Sequence, residues 1–270
     1  MKKVQIAFIG AGKMAEALVA RLAGKTTMIA SDKEPGRLKS LAKKYRIRIA
    51  RDNQEAFDSS PVVILAIKPQ NFPEVIAELS RANSVTRARK IIISIAAGIP
   101  ISYLEKKLPG ASVIRTMPNN PALVGMGMTA LAKGSRVKGQ EFNMAKKIFS
   151  SVGEVVAVPE KWLDAVTGLS GSGPAFIYAV VEALIEGGIA CGLPKKVATK
   201  LAIQTLKGAV ATLEKSGHEP RQLREMVTSP GGTTLEGLAV LEEHRMARAF
   251  KKAVQAAAKK SKELSKRWAS

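Results

Sequence analysis

Val4-Gln5-Ile6-Ala7-Phe8-Ile9-Gly10-Ala11-Gly12-Lys13-Met14-Ala15 is the stretch on which the fold turns. Residues 4–9 read as a short apolar strand, and residues 14–22 have helical periodicity that ends at Gly24. Between them the first glycine of Gly-x-Gly-x-x-Ala makes a tight turn, and the second lets the backbone approach a pyrophosphate. Ala15 takes the third position, where a small side chain permits close helix–strand packing. The start of the helix then faces the phosphates. Alone, such a motif can be a glycine-rich structural turn; placed between a strand and a helix, it reads as a dinucleotide fingerprint.

The pattern continues outward from that unit. Strands are expected near residues 27–30, 46–50, 62–66, 90–94, 112–116, 128–131 and 154–158. Helices are expected over 37–45, 72–79, 101–108 and 138–149. This alternation predicts an α/β fold, a Rossmann-type doubly wound and mostly parallel sheet. After Lys161 only helical patterns remain, over 174–190, 194–215, 221–227, 234–243 and 246–268. The expected division is therefore a dinucleotide-binding domain over 1–161 and an all-helical domain over 162–270. Several of these helices are apolar on more than one face, which implies packing against another subunit.

Composition narrows the function classes. The chain has 270 residues, 46% of them hydrophobic, which is a globular composition. Apolar runs are broken by charges, Gly or Pro before about 18 residues, so no membrane span is expected. Cys191 is the only cysteine, which excludes an intrachain disulfide framework and suits a cytoplasmic protein. His218 and His244 have no cysteine at ligand spacing, so no metal site is expected. The net charge is +21, densest in the last helix at Lys251, Lys252, Lys259, Lys260, Lys262, Lys266 and Arg267. Apolar residues interleave there at helical spacing, which makes the lysines a solvated face. With aromatics at 4%, there is little material to stack bases, and nucleic acid is not the expected partner. A field of this sign attracts anionic small molecules.

Ligands of doubly wound sheets sit at the carboxyl ends of the strands. The second strand ends at Ser31-Asp32-Lys33, with Arg37 a turn later. An acid about 20 residues past the fingerprint takes ribose hydroxyls, so Asp32 favours NAD; Ser31, Lys33 and Arg37 could instead hold a 2′-phosphate. Asp32 could also simply cap the next turn. Ala66-Ile67-Lys68-Pro69 and Ile95-Ala96-Ala97-Gly98 follow two further strands and leave room for a flat ring. In the helical half, Ser229-Pro230-Gly231-Gly232-Thr233-Thr234 interrupts the pattern and opens a new helix. Free N–H groups at such a start suit a carboxylate.

These segments, with Arg115-Thr116-Met117-Pro118-Asn119-Asn120-Pro121 and Asp164-Ala165-Val166-Thr167-Gly168-Leu169-Ser170-Gly171-Ser172-Gly173-Pro174-Ala175, resemble the pyrroline-5-carboxylate reductase family in order, from residue 8 to about 240. The resemblance implies reduction of 1-pyrroline-5-carboxylate to L-proline by NAD(P)H, usually NADPH with NADH possible. By position it implies cofactor contacts at Ile9, Gly10, Ala11, Gly12, Lys13, Met14, Ser31, Asn53, Ala66, Ile67, Lys68, Pro69, Ile95, Ala96 and Ala97. It places the substrate carboxylate on Gly231, Gly232, Thr233 and Thr234, and makes the helical half a dimerisation domain. Family members form homodimers with a shared active site, and many assemble further into rings of dimers.

The substrate is a cyclic imine whose protonated C=N is already a strong hydride acceptor, so positioning matters more than acid–base machinery. Thr234 is the expected catalytic residue, relaying a proton to the ring nitrogen; the competing reading is that it only caps the helix. A hydroxy-acid or other imine dehydrogenase of this architecture would want a lysine on the first long helix, and residues 174–190 contain none. A non-catalytic basic nucleotide- or nucleic-acid-binding protein would not need both glycine motifs.

Overall fold

The computed structural model describes residues 5–80 and 89–268; Val4, expected at the head of the first strand, lies outside them. Eight strands form one sheet among the described residues. They are β1 Ile6–Ile9, β2 Met28–Ser31, β3 Arg48–Ile49, β4 Val62–Leu65, β5 Ile91–Ser94, β6 Ser112–Met117, β7 Gly127–Lys133 and β8 Gly153–Ala157. Their order is β3-β2-β1-β4-β5-β6-β7-β8. The first six strands are parallel in the Rossmann order, while β6 and β7 pair antiparallel. The β6–β7 connection, residues 118–126, is shorter than a parallel crossover requires.

The inner parallel strands β1, β2, β4 and β5 carry side chains to two covered faces, which is why they read as mostly apolar runs. In β1, Ala7 and Ile9 join one core cluster, with Phe57, Phe72, Ile76 and Leu104. Ile6 and Phe8 join the other, with Leu18, Leu41, Ile148 and Phe149. Register sets the working edge of the sheet: Ile9 pairs with Ser31 on one side and Leu65 on the other, and Leu65 pairs with Ser94. The ends of β2, β1, β4 and β5 are thus level.

Helix Asn53–Asp58 is not predicted by the periodicity. Its signal is a capping pattern and not an apolar stripe. Asp52 accepts the Glu55 N–H at 2.7 Å, and Glu55 accepts the Arg51 N–H at 2.8 Å. The far end of this helix is fixed by Lys90. Its buried ammonium donates to the carbonyls of Phe57, Asp58 and Ser60 at 2.9, 3.2 and 2.8 Å.

The chain divides into two compact units, one running to residue 172 and including residues from 255 onward, the other residues 173–254. The composition change at 161 marks where strands stop, while packing with the sheet continues beyond it. Leu163 is buried in the sheet core. Asp164 accepts Ser261 Oγ at 2.7 Å and Ser265 Oγ at 3.2 Å, and Arg115 lies 3.1 Å from Glu160 and 3.8 Å from Asp164. These bonds hold the last turns of helix Met246–Lys266 to the sheet unit.

In the second unit, helices Gly173–Ala190 and Lys195–Ser216 pack on each other, with Gly188 closely facing Ala198. Much of their apolar surface is bare: Leu201, Ile203 and Val210 are each about half exposed. The helical run over 160–190 is long and apolar enough by length and composition to cross a bilayer, and its apolar 18-residue stretch contains no residue buried within the chain.

Replacing the buried ammonium tests the role of Lys90. Lys90→Met strands three carbonyls. It is expected to lower the unfolding free energy by about 1–3 kcal/mol in urea titration.

Candidate functional site: a dinucleotide cleft and an anion loop

The turn after β1 is built from two glycines with opposite surroundings. Gly10 has φ +99°, and a Cβ there would meet the Ala66 carbonyl oxygen at 2.4 Å. The Gly10 N–H donates to the Ser31 carbonyl, and the Ala66 N–H to the Ile9 carbonyl, each at 2.8 Å. Gly10 is therefore clamped between the ends of β2 and β4. A Cβ on Gly12 would meet nothing within 4 Å. Gly12 is also the N-cap of helix Lys13–Leu22, which no side chain caps among the described residues. Free N–H groups beside open space are what a pyrophosphate requires, so the turn fits a dinucleotide. Ala15 is fully buried behind it.

A cavity of about 410 Å³ opens at this edge. Of the residues expected to touch cofactor, Gly10, Gly12, Asn53, Ala66, Ile67 and Lys68 line it. The others do not. Ile9 is buried in the core and contributes only its carbonyl bond. Ala11 is buried, and its N–H donates to Asp32 Oδ2 at 2.6 Å. Ser31 is buried and reaches the wall through Asn53, donating to Oδ1 at 2.8 Å. Lys13, Met14 and Pro69 flank the cavity residues in sequence without lining it. Ile95, Ala96 and Ala97 follow β5, with the Ile95 N–H on the Leu65 carbonyl at 3.3 Å. Behind them Gly98 (φ +77°) abuts Leu264, and Trp268 meets the Tyr103 ring at 5.0 Å; burial pushes the Tyr103 hydroxyl pKa up.

The wall also holds residues that the sequence reading did not select. Asn71, Glu74, Val75 and Glu78 line the cavity at the i, i+3, i+4, i+7 spacing of one helical face. That face, directly after Lys68-Pro69, was the available signal. Asp32, Lys33 and Arg37 line it too. Asp32 does cap its turn, accepting the Glu34 N–H at 2.8 Å, while also holding the glycine loop. A larger cavity of about 930 Å³, lined by Gln5, Thr27, Met28 and Tyr45, lies at the opposite, amino-terminal ends of β1 and β2. Size does not make it the site, since ligands of such sheets bind at the carboxyl ends.

Two of the family-like motifs meet within the sheet unit. Asn119 donates from Nδ2 to the Ser170 carbonyl at 3.2 Å and accepts the Met128 N–H at 2.8 Å. Residues Thr167–Gly171 form a π-helical turn, closed by the Ser172 N–H on the Thr167 carbonyl at 2.9 Å. Gly171 lies against Met117.

In the second unit, Gly231 has φ +70° and Gly232 caps helix Thr233–Glu243 without a capping side chain. The Gly232 N–H donates to the Ser229 carbonyl at 3.0 Å, which closes the turn. Gly232 leaves no room for a Cβ beside Ser229 Oγ. The helix starts one residue earlier than periodicity predicts, so Thr234 is its second residue and does not cap it. Gly231, Thr233 and Thr234 are exposed, and Gly232 is half-buried.

A Rossmann sheet with an open Gly-x-Gly turn, followed by an apolar helical unit with an anion-ready helix start, defines the class of NAD(P)-dependent oxidoreductases. Residues 160–264 match the family described as pyrroline-5-carboxylate reductase dimerisation, and residues 5–98 match that described as NADP oxidoreductase coenzyme F420-dependent. A pyrroline-5-carboxylate reductase from Synechocystis is 44% identical over 98% of this chain and 99% of its own length. Among solved structures, the enzyme of that name from Coxiella burnetii superposes with a TM-score of 0.88 at 34% identity, covering 98% of this chain and 99% of the other. The Plasmodium falciparum pyrroline carboxylate reductase, solved with NADP bound, gives 0.87 at 29% identity, covering 98% and 99%. The chain belongs to the pyrroline-5-carboxylate reductase family.

The contrast between the glycines is testable. Gly10→Ala should cost about 2–4 kcal/mol in thermal or urea unfolding, through backbone strain and overlap with Ala66. Gly12→Val should melt near the wild type yet weaken NAD(P)H binding at least about tenfold by fluorescence titration, because its side chain fills the phosphate cradle.

Proposed function

We propose that this chain reduces 1-pyrroline-5-carboxylate to L-proline with NAD(P)H, the final step of proline biosynthesis, as a cytoplasmic homodimer. The observation that carries the reading is the exposed, uncapped start of Thr233–Glu243 behind the Gly231-Gly232 turn, in a chain that also has an open pyrophosphate turn. In this reading residues 1–161 hold the dinucleotide and residues 162–270 hold the substrate and the partner chain.

NAD(P)H supplies the hydride. Gly10, Ala11, Gly12, Lys13 and Met14 form the diphosphate cradle, with Ile9 behind it. Ser31 and Asn53 belong to the adenosine end. Ala66, Ile67, Lys68 and Pro69, with Ile95, Ala96 and Ala97, form the ledge toward the reacting ring. Small side chains at Ala66, Ala96 and Ala97 leave a flat surface there. The Gly231, Gly232, Thr233 and Thr234 segment receives the carboxylate on main-chain N–H groups, which the helix dipole reinforces. Thr234 Oγ1 then hydrogen-bonds the ring nitrogen and holds its proton while C=N becomes CH–NH. Thr234 is free for that work because Gly232 is the cap. Glu182 and Glu186 are exposed and have no role in this scheme.

The bare apolar faces of Gly173–Ala190 and Lys195–Ser216 are assigned to the homodimer seam, where the helices of one chain complete the cleft of its partner. This assignment also accounts for the membrane-like apolarity of the run over 160–190. The match to a dimerisation family over 160–264 supports it.

The direct test is oxidation of NADPH and of NADH with pyrroline-5-carboxylate at matched concentrations; turnover with neither would end the proposal. Thr234→Ala should lower kcat about 10–100-fold while leaving cofactor affinity within about twofold, and Thr234→Ser should restore most of it. On the seam, Leu201→Glu with Val210→Glu should weaken the dimer at least about 100-fold in sedimentation analysis, because unpaired charges would be buried. Sedimentation of the wild type also reports whether dimers associate into the ring that the resemblance implies.

A further inference from the structure

We infer that this chain binds NADH more tightly than NADPH, with the Asp32 carboxylate reading the adenosine ribose. The inference rests on the cofactor site proposed above and adds which of the two dinucleotides that site prefers.

Asp32 stands at the end of β2 on the cavity wall, and its orientation is fixed from two sides. Oδ2 accepts the Ala11 N–H at 2.6 Å, and Oδ1 accepts the Glu34 N–H at 2.8 Å. The side chain is only 7% exposed, so it is not free to swing out of the way of a ligand. A carboxylate oxygen has room for more than one donor. A ribose 2′-hydroxyl can donate to it; a 2′-phosphate, which at neutral pH offers chiefly acceptors, cannot.

Two of the three groups that could hold a 2′-phosphate, Arg37 and Ser31, already have partners. The Arg37 guanidinium lies 3.6 Å from Asp32 Oδ2. The Ser31 hydroxyl donates to Asn53 Oδ1 at 2.8 Å, and Asn53 Nδ2 donates to Glu78 Oε2 at 2.8 Å. A phosphate at this point would have to take the Asn53 amide from a carboxylate and remain beside it. The wall as a whole carries four carboxylates (Asp32, Glu34, Glu74, Glu78) against three cations (Lys33, Arg37, Lys68). That local balance opposes the +21 of the whole chain. The long-range field draws in both dinucleotides, because both are anions. The extra dianion of NADPH is judged at short range, among these carboxylates.

Fluorescence titration of the full-length protein with NADH and with NADPH, at one ionic strength, reads the preference. NADH should bind at least about tenfold more tightly. Equal affinities or tighter NADPH binding would overturn the inference and leave the proposed reaction standing, whereas binding of neither would count against the site itself. Asp32→Asn should weaken NADH and bring the two dissociation constants together; an unchanged ratio in a folded variant would remove Asp32 from the recognition. An asparagine has one oxygen for two N–H donors, so this variant could lose the loop. Glu78→Gln provides the independent arm. It should raise the affinity for NADPH relative to that for NADH, and no relative gain for NADPH would overturn the assigned repulsion.

Discussion

The contact between Gly10 and the Ala66 carbonyl is the constraint from which the dinucleotide site follows. With no Cβ, the chain leaving β1 can lie against the end of β4 and at once accept a bond from one neighbour and give one to the other. Only then does helix Lys13–Leu22 start at the sheet edge with its N–H groups bare. A side chain at residue 10 would push the turn outward and take the helix start with it. Every other feature of the cleft sits at a level set by this approach. Ser31 and Leu65 are in register with Ile9, so the residues after β2 and β4 emerge at the height of the turn.

What the sequence discloses follows from how local each interaction is. The glycine turn is legible because its geometry is demanded within six residues and glycine alone meets it. The strands flanking it are legible because burial on both faces removes polar residues. Helix Asn53–Asp58 is not seen by periodicity, since six residues do not complete two turns; the Asp52 and Glu55 pair announces it instead. Glu74 and Glu78 become wall residues only once helix Phe72–Ser80 has docked its Val75, Ile76 and Leu79 face. The Asp32–Ala11 bond spans 21 positions and exists only because β1 and β2 are paired. The sequence leaves Asp32 torn between capping a turn and reading a ribose, and the fold lets it do the first while facing the cavity.

The helical half presents the opposite case, in which composition is informative and internal packing is not. A helix apolar all round must be covered by something. Length and hydropathy cannot separate a bilayer from a second copy of the chain, because both remove the same surface from water. The family matched over residues 160–264 is described as a dimerisation family, which supports the second copy. Glu182 and Glu186 on the same helix fit that answer, since exposed carboxylates within the span would be expensive in lipid and are tolerable at a wet protein seam.

Charge separates attraction from discrimination. At physiological ionic strength, exposed charges are screened beyond about 8–10 Å. The lysines of the last helix therefore raise the local concentration of any anionic ligand without telling one dinucleotide from another. Discrimination falls to groups within contact distance that cannot move away. Asp32 is such a group because the glycine loop holds it, and the loop can hold it because Gly10 lets the two strand ends close. A single steric permission at residue 10 thus sets both where the bare helix start stands at the sheet edge and where the Asp32 carboxylate is held on the cavity wall.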